Sequence, residues 1–259
     1  MTETNSQGSA ADTPDQPDQK PQTFAFIAMT CLFFFWGFIT VLNDILIPFL
    51  KESFDLTYTQ AMLVQFCFFG AYFIVSPLAN RLIDRTGFQM GIVIGLLTTA
   101  AGCLLFYPSA DLNVYVLFLV SFFVLASGIT ILQVAANPYV AALGPETTAA
   151  SRLNLAQAAN SLGTTVGPFV GAMLILGAVA ADASAVQVPY LMIGAVLVIA
   201  ALLFRNINLP ALAHVESDAT DRQDSLLSHL VFSGAIVLAM IFGYTLVAGF
   251  IVVVALGYN

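Results

Sequence analysis

TGFQMGIVIGLLTTAAGCLLFYPSA, residues 86–110, holds no charged side chain in twenty-five positions, with Arg85 before it and Asp111 after it. A run of that length crosses a hydrocarbon core of about 30 Å as a single helix. Similar runs lie on both sides of it, at residues 24–42 (continuing past Asp44 to 50), 56–80, 112–145, 153–181, 183–204 and 225–259. Alternating polar strands of the membrane-barrel kind are absent, and lipid leaves helices as the other backbone solution. Seven spans is therefore the expected count. Composition agrees: 59% of residues are apolar and 8% charged, with mean hydropathy +0.91. Soluble domains carry about a quarter charged residues.

The polar segments give the organisation. Residues 1–22 are acidic and broken by Pro14, Pro17 and Pro21, which predicts a disordered cytoplasmic tail. They have neither the basic start nor the apolar core of a secretory signal. Residues 23–205 read as six transmembrane helices, 206–224 as a cytoplasmic linker with Pro210 and four acids, and 225–259 as a seventh span. With the N-terminus inside, Lys20, Arg81, Arg85, Arg152, Arg205 and Arg222 are cytoplasmic and Lys51 alone is outside, a positive-inside bias. The net charge of −8 sits in loops and tails, and no nucleic-acid partner is expected. Cys31, Cys67 and Cys103 lie inside apolar runs, as small membrane-buried side chains rather than a disulfide framework or zinc site.

Asp44 is the acid that interrupts a span, in Trp36-Gly-Phe-Ile-Thr40-Val-Leu-Asn43-Asp44-Ile-Leu-Ile-Pro48. Seven residues from Lys51, it lies on the order of 10 Å below the outer boundary. A charge there costs several kcal/mol unless it faces a cavity or takes a proton, which makes it a functional-site candidate. The plainer alternative is an interfacial acid reaching water beside Pro48. Trp36, Thr40, Asn43/Asp44 and Ile47 share a helical face. So do Ser127, Thr130, Gln133 and Asn137 in the fourth span, and Asn154, Gln157, Asn160/Ser161 and Thr164 in the fifth. Any one amide fits either an interhelical bond or a binding cavity. Three stripes on three spans favour a shared cavity, and amides, hydroxyls and an indole suit a sugar.

Gly87, Gly91 and Gly95 in the third span, and Gly163, Gly167 and Gly171 in the fifth, form small-residue ridges for close helix packing. Pro138 and Pro168 are expected to bend their helices. Asp84 and Arg85 in the loop between spans two and three, with Arg152 in the next cytoplasmic loop, could latch the inner face; topology determination is the alternative. His214 and His229 are isolated, and neither a phosphate loop nor metal-ligand spacing occurs. An enzyme is not expected, nor any metal.

Several motifs resemble a known family. Leu82-Ile-Asp84-Arg85-Thr-Gly87 is similar to the loop signature G-x-L-x-D-R-x-G-R/K of the major facilitator superfamily. Asn43-Asp44-Ile-Leu-Ile-Pro48, Leu132-Gln133-Val-Ala-Ala-Asn137-Pro138-Tyr139 and Ser151-Arg152-Leu-Asn154-Leu-Ala-Gln157-Ala-Ala-Asn160-Ser161-Leu-Gly163-Thr-Thr resemble its fucose–galactose–glucose:proton symporters, and within them the glucose/galactose transporters. The resemblance covers residues 24–205. It implies an all-α integral membrane fold: the six-helix N-terminal half of a twelve-span transporter, built as 3+3 inverted repeats, plus a seventh span. Sugar would bind between two halves that alternate access.

By the same resemblance Asp44 matches an acid tied to cation coupling, and Gln133 stands where the fucose member has a proton-carrying glutamate. Gln157 and Asn160 match fifth-span amides that face the sugar. Trp36, Asn43, Gln133, Asn137, Gln157 and Asn160 are the expected substrate-binding set, with Asp84, Arg85 and Arg152 as the cytoplasmic gate. Gln133 cannot titrate, so coupling would rest on Asp44 or use sodium; no other cofactor is expected. The loop signature departs at Asn80, Phe88 and Gln89. Spans eight to twelve have no counterpart, which predicts a truncated product. The expected function is cation-coupled monosaccharide uptake across a bacterial inner membrane, with a second copy of the chain or a missing C-terminal half as partner. A non-transporting fragment or assembly partner is the alternative.

Overall fold

The computed structural model describes residues 19–173 and 186–207. The expected tail as far as residue 18, the linker from residue 208 onward and the seventh span lie outside the described residues. All described helices belong to one compact unit.

Six long helices follow the uncharged runs: α1 (Gln19–Ser53), α2 (Tyr58–Thr86), α3 (Phe88–Asp111), α4 (Tyr115–Ala142), α5 (Ala149–Gly171) and α6 (Gln187–Asn206), with a 3-10 turn at Glu146–Thr148 before α5. Their ends are set locally. Thr57 and Gln60 form a capping box at the start of α2: the Gln60 N–H donates to Thr57 Oγ1 at 3.3 Å, and the Thr57 N–H to Gln60 Oε1 at 2.9 Å. Gly87, at φ 81°, ends α2 and turns the chain into α3. It is a turn glycine rather than a member of the α3 ridge. At α6 the last carbonyls are met by Gln89, whose Nε2 donates to Phe204 O (2.8 Å) and Ile207 O (2.7 Å). Pro138 and Pro168 sit inside helices that continue through them.

Five of the six helices are long and apolar enough to cross a membrane. Polarity, not length, sets α5 apart: Arg152, Asn154, Gln157, Asn160 and Ser161 lie along it.

Packing pairs α3 with α4, α1 with α5, α3 with α6, and α2 with α4. Exchanging α1–α3 with α4–α6 turns the α2–α4 pair into α5–α1 and leaves α3–α6 as itself, the pattern that a repeat of three helices produces. The α3–α4 seam is closed at backbone level: a Cβ at Gly128 would overlap Thr99, and one at Gly102 would overlap the Leu125 backbone. Gly37 and Gly163 do the same for α1 against α5, where added Cβ atoms would overlap the Asn160 and Phe34 carbonyls. The exchange would also turn α3–α4 into α6–α1. There the helices stand apart around an apolar cavity of about 180 Å³, lined by Phe35, Phe38 and Ile39 on one side and Met192, Ile193 and Val196 on the other.

Candidate functional site

On α1, Asn43 and Asp44 are neighbours in sequence but point to different environments, because successive helical residues are about 100° apart. Asp44 is exposed and its Oδ1 accepts a hydrogen bond from Gln65 Nε2 of α2 at 3.1 Å. Asn43 is 3% exposed; its Oδ1 accepts from the Tyr190 hydroxyl of α6 at 3.2 Å, and among the described residues its Nδ2 has no partner. Tyr190 is itself fully buried, its ring 4.3 Å from that of Phe106. Asn43 thus lies on the packed side of α1, away from Asp44.

Two turns nearer the N-terminus of α1, Trp36 meets Tyr72 of α2 and Gln133 of α4. Gln133 Nε2 donates to the Tyr72 hydroxyl oxygen at 2.9 Å, and the Trp36 indole stands beside the same hydroxyl. All three side chains are half-buried. The α1–α2 seam therefore carries two polar rungs, Asp44–Gln65 and Trp36–Tyr72. Their spacing along each helix, eight residues on α1 and seven on α2, is about two turns in antiparallel sense. Among the described residues no three His, Cys, Asp or Glu side chains come together, and the candidate groups at this seam are a carboxylate, amides, a phenol and an indole.

The remaining polar residues divide. Ser127 and Thr130 return their hydroxyls to their own helix, to Phe123 O (2.7 Å) and Ala126 O (2.8 Å). Asn160 Nδ2 donates to Phe33 O of α1 at 3.0 Å, tying α5 to α1. Gln157 is half-buried, and Asn154 and Ser161 are exposed on the same helix. Asn137 is half-buried, and its buried Oδ1 has no partner among the described residues.

At the other end of the bundle, Asp84 and Arg85 are exposed. Arg152 grips the end of α4: its Nε donates to Val140 O (3.2 Å), Nη1 to Pro145 O (3.1 Å) and Thr148 Oγ1, and Nη2 to Ala141 O and Gly144 O. Among the described residues its partners are carbonyls and a hydroxyl rather than a carboxylate.

Sequence reasoning missed Gln65, Tyr72 and Tyr190. A signal for the first two existed: they are two turns apart on α2, as Trp36 and Asp44 are on α1. It was hidden by the many apolar residues around them, such as Phe66, Phe69 and Phe73, which are exposed as lipid-facing residues are.

The architecture of six helices in two exchangeable triplets, with a polar seam inside an apolar bundle, has known counterparts. The sequence profile of the Major Facilitator Superfamily matches residues 25–259. The chain belongs to that superfamily. Within it, the chain is 55% identical over 211 residues to a glucose/galactose transporter of Brucella abortus biovar 1 (strain 9-941), covering 80% of this chain and 51% of the relative. To the L-fucose-proton symporter of Escherichia coli (strain K12) it is 36% identical over 231 residues, 82% of this chain and 53% of the relative. The crystal structure of the superfamily transporter FucP in the outward conformation matches with a TM-score of 0.69 at 36% identity, covering 81% of this chain and 56% of that one. The chain spans about half the length of the curated relatives it matches. What it shares with them is the helical membrane fold of a major facilitator N-terminal half.

Proposed function

We propose that the chain works in cation-coupled uptake of a monosaccharide of the glucose, galactose or fucose class. The observation that carries this reading is the seam itself: a carboxylate and a Trp–Tyr–Gln cluster, two turns apart, shared by α1, α2 and α4. An indole offers a flat apolar face to a sugar ring, while amides and phenols match its hydroxyls. The names of the relatives, glucose/galactose transporter and L-fucose-proton symporter, support the same substrate class.

Asp44 is the coupling group in this reading. One carboxylate oxygen takes the Gln65 amide, and the other, without a partner among the described residues, takes the proton or sodium ion. Trp36, Gln133 and Gln157 contact sugar, with Asn137 and Asn160 behind them and Asn43 fixing α1 against α6. Asp84, Arg85 and Arg152 belong to the cytoplasmic end, with the N-terminus inside a bacterial inner membrane; six of the seven basic residues fall on that side. Alternating access needs two six-helix halves around one site, so the cycle is assigned to this chain with a second copy of itself or with a C-terminal half.

The test is counterflow of labelled glucose and galactose in proteoliposomes containing the purified full chain. Sugar-specific exchange is expected. Folded, inserted protein that exchanges no sugar would overturn the reading and leave a non-transporting assembly partner.

A further inference from the structure

The Tyr72 hydroxyl has one hydrogen to donate and two lone pairs to accept with. Gln133 Nε2 donates to its oxygen at 2.9 Å, and the Trp36 indole stands beside it. The phenol hydrogen is left over, and among the described residues no acceptor takes it. Gln133 presents the complementary surplus: its Nε2 is engaged at 2.9 Å and its Oε1 receives no donor among the described residues. A free O–H and a free carbonyl oxygen thus stand side by side, held by a direct bond between their own residues and bordered by an indole. Both side chains are half-buried, so a ligand can reach them. A water can satisfy the pair, but a fixed donor beside a fixed acceptor is also what one alcohol group needs, since a hydroxyl donates and accepts together.

We propose that Tyr72 is a substrate-binding residue on α2, its hydroxyl and Gln133 Oε1 forming a donor–acceptor pair that clasps one hydroxyl group of the sugar. The assignment rests on the sugar-uptake reading and sharpens it. The pair discriminates, because a sugar lacking that one hydroxyl leaves both protein groups unmatched. The Gln133 bond already holds the phenol oxygen in place, so little freedom is lost when the ligand arrives.

Trp36 is the chain's one tryptophan and borders the pair, so its emission reports a ligand at this spot in the purified full chain. Titrations would use D-glucose, D-galactose and the panel of monodeoxy-D-glucoses. For the wild type, one deoxy analogue is expected to bind roughly tenfold more weakly than glucose, the upper range for one neutral hydrogen-bonded group. In Tyr72→Phe, which keeps the ring and removes the hydroxyl, glucose weakens by a similar factor and the gap to that analogue closes. Gln133→Met, which removes the acceptor, closes the gap for the same analogue and no other. If the wild type binds these sugars and Tyr72→Phe still separates the analogues as the wild type does, the role of Tyr72 is overturned while sugar uptake stands. If the wild-type chain binds none of them, the uptake reading falls and takes this assignment with it.

Discussion

The α3–α4 seam and the α1–α2 seam are built on opposite principles. Along α3 and α4, Gly102 and Gly128 bring backbone against backbone, and the side chains at the contact are mostly apolar or bonded to their own helix, with one buried Ser109–Ser121 hydroxyl bond of 3.0 Å across the seam. Along α1 and α2, contact is made by long polar side chains meeting at their tips, Asp44 with Gln65 and Trp36 with Tyr72. The first seam has no room to slide without overlap. The second can part and re-form by breaking a few hydrogen bonds, each worth about 0.6 kcal/mol in a membrane bundle. Framework and candidate site thus occupy different seams of the same six-helix unit.

Breaking the framework should have the largest effect. Gly128→Leu places a side chain where even a Cβ overlaps Thr99, and a loss of about 3 kcal/mol or complete misfolding is expected. Thermal unfolding of the detergent-purified protein checks it, and an unchanged midpoint would mean that the two backbones do not touch. Next comes the site. Asp44→Asn is expected to reduce uphill sugar accumulation to background while keeping exchange within a few-fold of wild type, because exchange needs no net cation movement. Equal loss of both, measured in the same proteoliposomes, would remove Asp44 from coupling.

Gln157→Ala tests a residue on neither seam. A fall in sugar affinity of about fivefold, with the melting temperature unchanged, is expected from one lost hydrogen bond; unchanged affinity would return the amide to packing. The smallest effect belongs to Asn160→Ala, which removes the bond to Phe33 O across α1–α5 and should cost about 0.6 kcal/mol of stability. A loss of sugar affinity without that stability change would show that Asn160 faces the ligand instead.

The helices themselves were legible because an uncharged run of more than twenty residues has few other fates, and their ends fall close to the charges that bound the runs. Asp44 was legible for the same reason: one carboxylate in an apolar span stands out. Which way a polar residue points was harder to read. Asn43 and Asp44 look alike as a pair, yet one is buried against Tyr190 and the other is exposed. Arg152 looked like a gate charge, but the carbonyls that engage it come from a helix end whose unpaired groups the sequence does not display. Tyr72 was invisible for a related reason, since its meaning depends on Trp36 and Gln133, which reach it from two other helices.

One consequence follows from the space between α1 and α6. Fixed to α5 by Gly37, Gly163 and the Asn160 bond, α1 has a stiff flank; toward α6 it is pinned at Asn43 by the Tyr190 hydroxyl and, nearer its N-terminus, stands off around a gap bordered by Phe35, Phe38 and Met192. Lipid tails are as apolar as those side chains, so widening or narrowing that gap exchanges one oily surface for another. The gap is mechanical clearance. With it, the part of α1 that carries Trp36 has room to shift together with α5, while the Asn43–Tyr190 bond holds the part that carries Asp44.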